Sequence, residues 1–522
     1  MKKLVSLFLS LVMVGAVLCG CGGGSSQGDE GSNGVQNERK ANNEIVVAIA
    51  QDLEDSLDPH ASAAAGTREV LFNVYEGLVK TGPDGELIPA VAERYDISDD
   101  GLVYTFTLRE GVKFHNGETL KASDVVFSYQ HFMDNPKYNS YTDMIEKVEA
   151  LDDSHVVITI ARPYSPILHT FFKIKILSEK EVTSQGSDFG TIANLAGTGP
   201  YYMDAETYRP NSGWTLYAFE DYWQGAPQIK KIGYVVIEDN SSAVIALKNG
   251  DIDYLSVPLS NWADIKDSGK FATNEMESND IQFMCINYES SEVLNNDKVR
   301  QAIVHATNRE AMNMVATDGL GKVTDFYINP HYAEAAPTEC DVDLSYNPEL
   351  AKSLLAEAGY PNGVDVGEIL VGTGSSEPYA TVLQSNLAEV GITAKITTLE
   401  FGVAVDRMAS QDYNICIVGD NGNYDFNNFR QQAHSGSVGI YNVSFVGDKF
   451  DYKHIEDLFA QGEQITDEAA RKEIYTELYN EVMATYCVIP LVAPPACTAW
   501  NPDLNVVSVP TYYRVAQWSW NA

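Results

Sequence analysis

The chain has many reactive side chains, but their spacing does not form a catalytic set. Nine histidines, at 60, 115, 131, 155, 169, 305, 331, 434 and 454, stand singly, without the short spacings of a metal-binding motif. Seven cysteines include no CxxC pair. Five of them (Cys285, Cys340, Cys416, Cys487 and Cys497) lie beyond the N-terminal region, and an odd number cannot fully pair. One disulfide fits an oxidising compartment, but spacing does not choose it. Cys285 and Cys416 fall in apolar, strand-like runs and read as buried thiols. No HExxH, G-x-S-x-G or P-loop is present, and Gly197-Thr198-Gly199 runs into Pro200-Tyr201, which is wrong for a dinucleotide turn. The expectation is no enzyme, no cofactor and no resident metal.

Composition narrows the partners. The 522 residues carry 35 Lys+Arg against 73 Asp+Glu, a net charge of −38. Such a surface repels nucleic acid and anionic lipid and keeps the chain soluble. Apolar content of 44% and charged content of 21% are those of a globular protein, and a chain this long buries a core without a disulfide scaffold.

The N-terminus, MKKLVSLFLSLVMVGAVLCGC, has a basic start (Lys2, Lys3) and an apolar run from Leu4 to Leu18. That run is too short to span a bilayer and reads as a signal peptide. Leu18-Cys19-Gly20-Cys21 resembles a bacterial lipobox, with small Gly20 before Cys21, so residues 1–21 are expected to be removed up to a lipid-modified Cys21. Residues 22–43, rich in Gly, Ser and Asn, read as a flexible tether. Together they predict a lipid-anchored protein on the outer face of the cell membrane, exposed at the cell surface or in a periplasm.

The elements beyond the tether alternate. Ile45 to Ala50 is a buried-strand run, and Val70, Leu71, Val74, Tyr75 and Leu78 recur at helical spacing. Tyr104, Phe106 and Leu108 alternate with threonines as in a half-buried strand. Ser123 precedes a helical pattern. Further helices are predicted around 299–306, from the Asn347-Pro348 start to Gly359, over about 378–390 and over 467–486. Strands are predicted at 392–399 and 413–418. The fold class is α/β, with helices packed on sheets.

Several stretches, in order, resemble the family 5 extracellular solute-binding proteins of ABC importers, the oligopeptide- and dipeptide-binding group. They are Leu57-Asp58-Pro59-His60, GLVYTFTLREGVKFHNGETLKASDVVFSY at 101–129, Gly197-Thr198-Gly199-Pro200-Tyr201 and Asp221-Tyr222-Trp223-Gln224-Gly225. ALKNGDID at 246–253, VRQAIVHATNRE at 299–310 and LLAEAGYPNG at 354–363 follow. The resemblance implies a two-lobed type II periplasmic-binding-protein fold. Lobe I is expected at 44–281 with an extra subdomain at about 62–205, lobe II at 282–487, and a return to lobe I at 488–522.

It also implies a function: a monomeric receptor that captures peptides in an interlobe cleft and delivers them to permease subunits driven by cytoplasmic ATPases. Oligosaccharides and nickel-type metal–chelator complexes are alternative ligands in such a family, and a ligand sensor is the alternative of another class. Relatives place an aspartate for the ligand's α-ammonium where Asp420 stands, in Gly419-Asp420-Asn421-Gly422; the same D-N-G is also good turn chemistry. Asn421 and Tyr424 share that loop. Phe401 stands where relatives have a cleft aromatic, and Thr67 and Trp500 are further candidates. Dipeptide binders hold the ligand carboxylate with an arginine just before the 378–390 helix. Here Ser375-Ser376-Glu377 stand there, with no Lys or Arg from Ser353 to Ala394, which favours longer or other amine-bearing ligands.

Overall fold

Continuous apolar runs require burial on both faces, and they become the inner strands of sheets. The computed structural model describes residues 30–53, 56–61, 65–82, 86–135, 144–191, 196–330, 333–374, 376–421, 425–430, 452–508 and 515–521. Strand Glu44–Ile49 lies inside a sheet that has seven strands among the described residues. It runs parallel to Lys231–Val236 and to Tyr254–Ser256. Tyr201–Met203, Gly213–Ala218, Ala272–Met276 and Ala496–Trp500 complete the sheet. A second sheet has six strands among the described residues, in the order Lys322–Val323, Val488–Ala493, Asp280–Ile286, Ile415–Asn421, Val364–Gly372, Ile392–Leu399. The last three run parallel to one another.

Each sheet anchors its own core. Ile45, Val47, Trp214 and Tyr234 belong to the first core, where the Trp214 and Tyr234 rings stack at 5.3 Å. Phe283, Ile303, Leu370 and Tyr479 belong to the second. A four-stranded antiparallel sheet (Ala92–Ile97, Val103–Leu108, His155–Ile160, Ile145–Ala150) makes a third, around Phe106, Phe114, Tyr129 and Phe171. The buried residues of the third core run from Leu78 to Ile176.

The chain passes from the first sheet to the second between Met276 and Asp280 and returns between Ala493 and Ala496. The return falls later than the expected 487, because Val488–Ala493 pairs with Asp280–Ile286 and so belongs to lobe II. The tether also differs from expectation. Glu30–Asn42 is a helix, and Arg39 donates to Asp253 Oδ1 at 2.9 Å and to the Gly250 carbonyl at 2.7 Å. One buried guanidinium with charge-assisted bonds is enough to dock a segment whose composition reads as coil. Ser123 lies inside helix Ala122–Met133 rather than before it, and Lys121 occupies the cap.

The motifs that carry the resemblance are mostly structural locks. In ALKNGDID, helix Asn240–Asn249 is capped by Asp239 and stopped by Gly250 at φ 78°, a left-handed conformation that suits glycine. Asp253, in the same motif, accepts the Val46 N–H at 2.8 Å and so fixes the first strand. In GTGPY, a Cβ on Gly197 would lie 1.9 Å from the Val74 carbonyl oxygen, so only glycine fits there. His115, from KFHNGE, sits against this turn: Nδ1 is 3.2 Å from the Gly197 N–H nitrogen and Nε2 is 2.9 Å from the Gly199 carbonyl oxygen.

Buried histidines predict a fold that loses stability in acid. Burial pushes His60 down to about 3 and His115 down to about 4. Between those values and about 6.5 the unfolded chain binds protons that the native chain excludes, so stability is full above about 6.5 and falls with pH, by about 1.4 kcal/mol per unit per histidine. Asp425 acts in the opposite sense. Burial, against the pull of Arg471, raises its carboxyl to about 7, so its contribution is lost as pH rises through 7. The expected result is a lower urea midpoint at pH 5 than at pH 7; an equal or higher midpoint at pH 5 contradicts the two histidines' part.

Candidate ligand-binding cleft

Strand direction puts the site at the double crossover. In the first sheet, Tyr254–Ser256 runs toward the crossing, because Ser256 pairs with Thr498 and Tyr254 with Trp500. Glu44–Ile49 and Lys231–Val236 run the same way. In the second sheet, Asp280 and Ile281 pair with Asn421 and Asp420. The carboxyl ends of Ile415–Asn421, Val364–Gly372 and Ile392–Leu399 therefore lie at the crossing too. The carboxyl ends of parallel strands are where open α/β sheets receive ligands.

The backbone of Asp420 and Asn421 ends strand Ile415–Asn421, opposite the crossing segment. Gly419 beside them has a reason: a Cβ there would come within 2.3 Å of the Gln282 amide nitrogen. Gln282 Oε1 accepts from Ser376 Oγ at 2.8 Å, and both residues are buried. Position 376, just before helix Glu377–Glu389, thus holds a neutral hydroxyl–amide pair. Phe401 opens helix Phe401–Ala409 after strand Ile392–Leu399 and is 54% exposed. Its ring is seated on Gly372, whose added Cβ would meet Phe401 Cδ2 at 2.9 Å. Gly372, Ser376, Phe401 and Val418 line one small hollow at this edge.

Other expected residues do not join this set. Thr67 is fully buried in helix Ala65–Val74. Trp500 belongs to the core of lobe I: its indole N–H donates to the Leu504 carbonyl at 3.0 Å and its ring stacks on Tyr254 at 6.2 Å. It also sits at the far end of strand Ala496–Trp500, about 13 Å from the crossing at ~3.3 Å per residue. Tyr424 and Cys21 lie outside the described residues. A larger groove of about 620 Å³, lined by Asp341, Glu473, Glu477 and Glu481, contains no residue of the crossing and is unrelated to this edge.

Sequence reasoning missed the second contact between lobes. Arg162, from the subdomain, donates to Glu463 Oε2 at 2.7 Å, and Arg430 pairs with the other oxygen of the same carboxylate. Glu463 is fully buried. Ser165 N–H donates to the Glu463 carbonyl at 2.8 Å, and Asn427 Nδ2 donates to Tyr164 Oη at 2.8 Å. Asn427 is held in turn by Tyr475 Oη at 3.2 Å, and Asp425 by Arg471 at 3.3 Å. The lobes are therefore joined at the double crossing and again by this charged bridge. No short-range pattern marks it, since Arg162 and Glu463 are 301 positions apart.

Residues 86–441 match the model of the bacterial extracellular solute-binding proteins, family 5 Middle. The glutathione-binding protein GsiB of Escherichia coli O1:K1 / APEC is 27% identical over 485 residues, covering 88% of this chain and 91% of the relative. The dipeptide-binding protein of Escherichia coli K12 is 29% identical over 430 residues, covering 75% and 78%. The periplasmic binding protein DppA of Helicobacter pylori, solved with the peptide STSA, superposes with a TM-score of 0.81 at 24% identity, covering 94% of this chain and 100% of that one. Among the described residues, no helix is long and apolar enough to cross a membrane.

Proposed function

Because the chain belongs to the family 5 bacterial extracellular solute-binding proteins, we propose that it is the receptor of an ABC importer, binding peptides between its lobes and passing them to the permease. The observation that supports this most is the meeting of strand carboxyl ends from both sheets at the double crossing, bridged again by Arg162 and Glu463. A ligand held by both lobes binds the joined arrangement better than the parted one and shifts the population toward it. The permease then has a liganded shape to recognise.

The relatives' names point to ligands with a peptide bond and a free amino group: a dipeptide, and glutathione, itself a tripeptide. An α-ammonium needs a carboxylate, and Asp420, at the end of its strand opposite Ile281, is the residue for it. Asn421 and Tyr424 adjoin it in sequence, and Phe401 supplies an apolar wall. The Ser376–Gln282 pair offers no positive charge for a dipeptide's carboxylate, which favours longer peptides. Cys21 carries the lipid that holds the receptor, a monomer, at the membrane.

The test is native mass spectrometry of the protein purified gently from cells. A ladder of bound masses matching mixed peptides is expected. A bound sugar or metal–chelator mass, with no peptide, overturns the peptide assignment and leaves the transport role standing.

A further inference from the structure

Three residues that look unrelated in sequence converge where the first strand's loop meets the subdomain. Asp58 and His60 stand in the loop after Glu44–Ile49, and His131 stands in the last turn of helix Ala122–Met133. One ligand atom from each lies within 4.8 Å of the other two. His131 Nε2 and Asp58 Oδ2 are 3.0 Å apart, a hydrogen-bonding contact that a shared cation would replace.

His60 shows what the cluster is suited to hold. Its ring is fully buried. Nε2 lies 3.0 Å from the Lys175 carbonyl oxygen and 3.1 Å from its amide nitrogen. Nδ1 has no hydrogen-bond partner. A metal on Nδ1 selects the tautomer that donates Nε2–H to the Lys175 carbonyl, over the one in which Nε2 accepts the Lys175 N–H. Metal-bound histidines are commonly oriented in this way, by donating the other ring N–H to a backbone carbonyl. His131 is about one-third exposed, which gives an entry path.

We propose that Asp58, His60 and His131 form a site for a divalent transition-metal ion of the zinc type, with an open coordination position, that staples the Leu57–His60 loop to the subdomain helix. Two imidazoles and a carboxylate are a borderline-soft donor set, which suits zinc and neighbouring metals over calcium or magnesium. The Lys175 ammonium is turned away, donating to the Phe172 carbonyl at 3.0 Å. Two other such clusters stand among the described residues: His454, Glu477 and Glu481 on lobe II, and His169, Glu334 and Asp425, whose two carboxylates already pair with Arg471.

The full chain, stripped with a chelator, is titrated with zinc chloride, and bound zinc is counted by elemental analysis. Cobalt absorption reports the coordination geometry. The expected result is one zinc per chain at micromolar concentration, an upward Tm shift reversed by chelator, and at least about a tenfold loss of affinity in both His131→Ala and Asp58→Asn. His454→Ala should leave binding unchanged. Far-UV circular dichroism verifies that each variant is folded, and Asp58→Asn serves if His131→Ala is not. No zinc at micromolar concentration, binding unchanged in a folded Asp58 or His131 variant, or binding lost in His454→Ala would overturn the site.

Discussion

Replacing Glu463 by alanine is expected to weaken peptide binding by about 30- to 100-fold and to lower stability as well. The carboxylate is fully buried and takes Arg162 from one lobe and Arg430 from the other. Removing it leaves two guanidinium groups facing each other without a counter-charge. Breaking a buried pair from one side costs about 3–5 kcal/mol, largely because the partner charge is stranded. Part of that cost falls on lobe II alone, since Arg430 belongs to it, and part on the joined state. Arg162→Ala separates the two. It removes only the cross-lobe bond, worth about 1.5–3 kcal/mol for a charged group, and leaves Glu463 with Arg430. Peptide Kd should rise while the unliganded Tm stays near wild type. If titration calorimetry gives the wild-type Kd for both variants, the bridge plays no part in closure.

Asp420→Ala is the second large effect, and it falls on the ligand. A carboxylate meeting an α-ammonium out of water makes a charge-assisted bond, and truncating one side of such a pair costs about 2–5 kcal/mol. The expected loss is between about 30-fold and several thousand-fold in Kd, with little change in Tm. The chain's excess of carboxylates, with 73 against 35 basic groups, steers a cation toward the protein but does not fix where it binds. An Asp420→Ala variant that binds a free-amino tripeptide as tightly as wild type would remove Asp420 from the site.

How far the sequence could be read depended on the range of the interaction. Strand Ile392–Leu399 and helix Pro348–Glu357 were legible because caps, glycines and periodicity act over a few residues. The ordered motifs were legible as a resemblance. Their physics is mostly that of locks such as His115 on the Gly197–Gly199 turn, which identify the fold without naming its ligand. Thr67 and Trp500 were misplaced because burial and strand direction decide what faces a cleft, and neither is local. Helix Glu30–Asn42 was hidden by its composition, since one distant partner, Asp253, docks it through Arg39. The Arg162–Glu463 bridge joins residues 301 positions apart and shows only in three dimensions. The Asp58, His60 and His131 cluster stayed hidden for the same reason: three single residues acquire meaning only when a loop and a helix bring them together.

The most direct measurement is a calorimetric titration of the wild-type protein with a short peptide and with its N-acetylated twin. Capture of a peptide by its α-ammonium between closing lobes predicts tight binding of the free-amino peptide, a negative heat-capacity change from the surface buried on closure, and a loss of at least about 30-fold on acetylation. Equal affinity for the two peptides, or no binding of either, would contradict it.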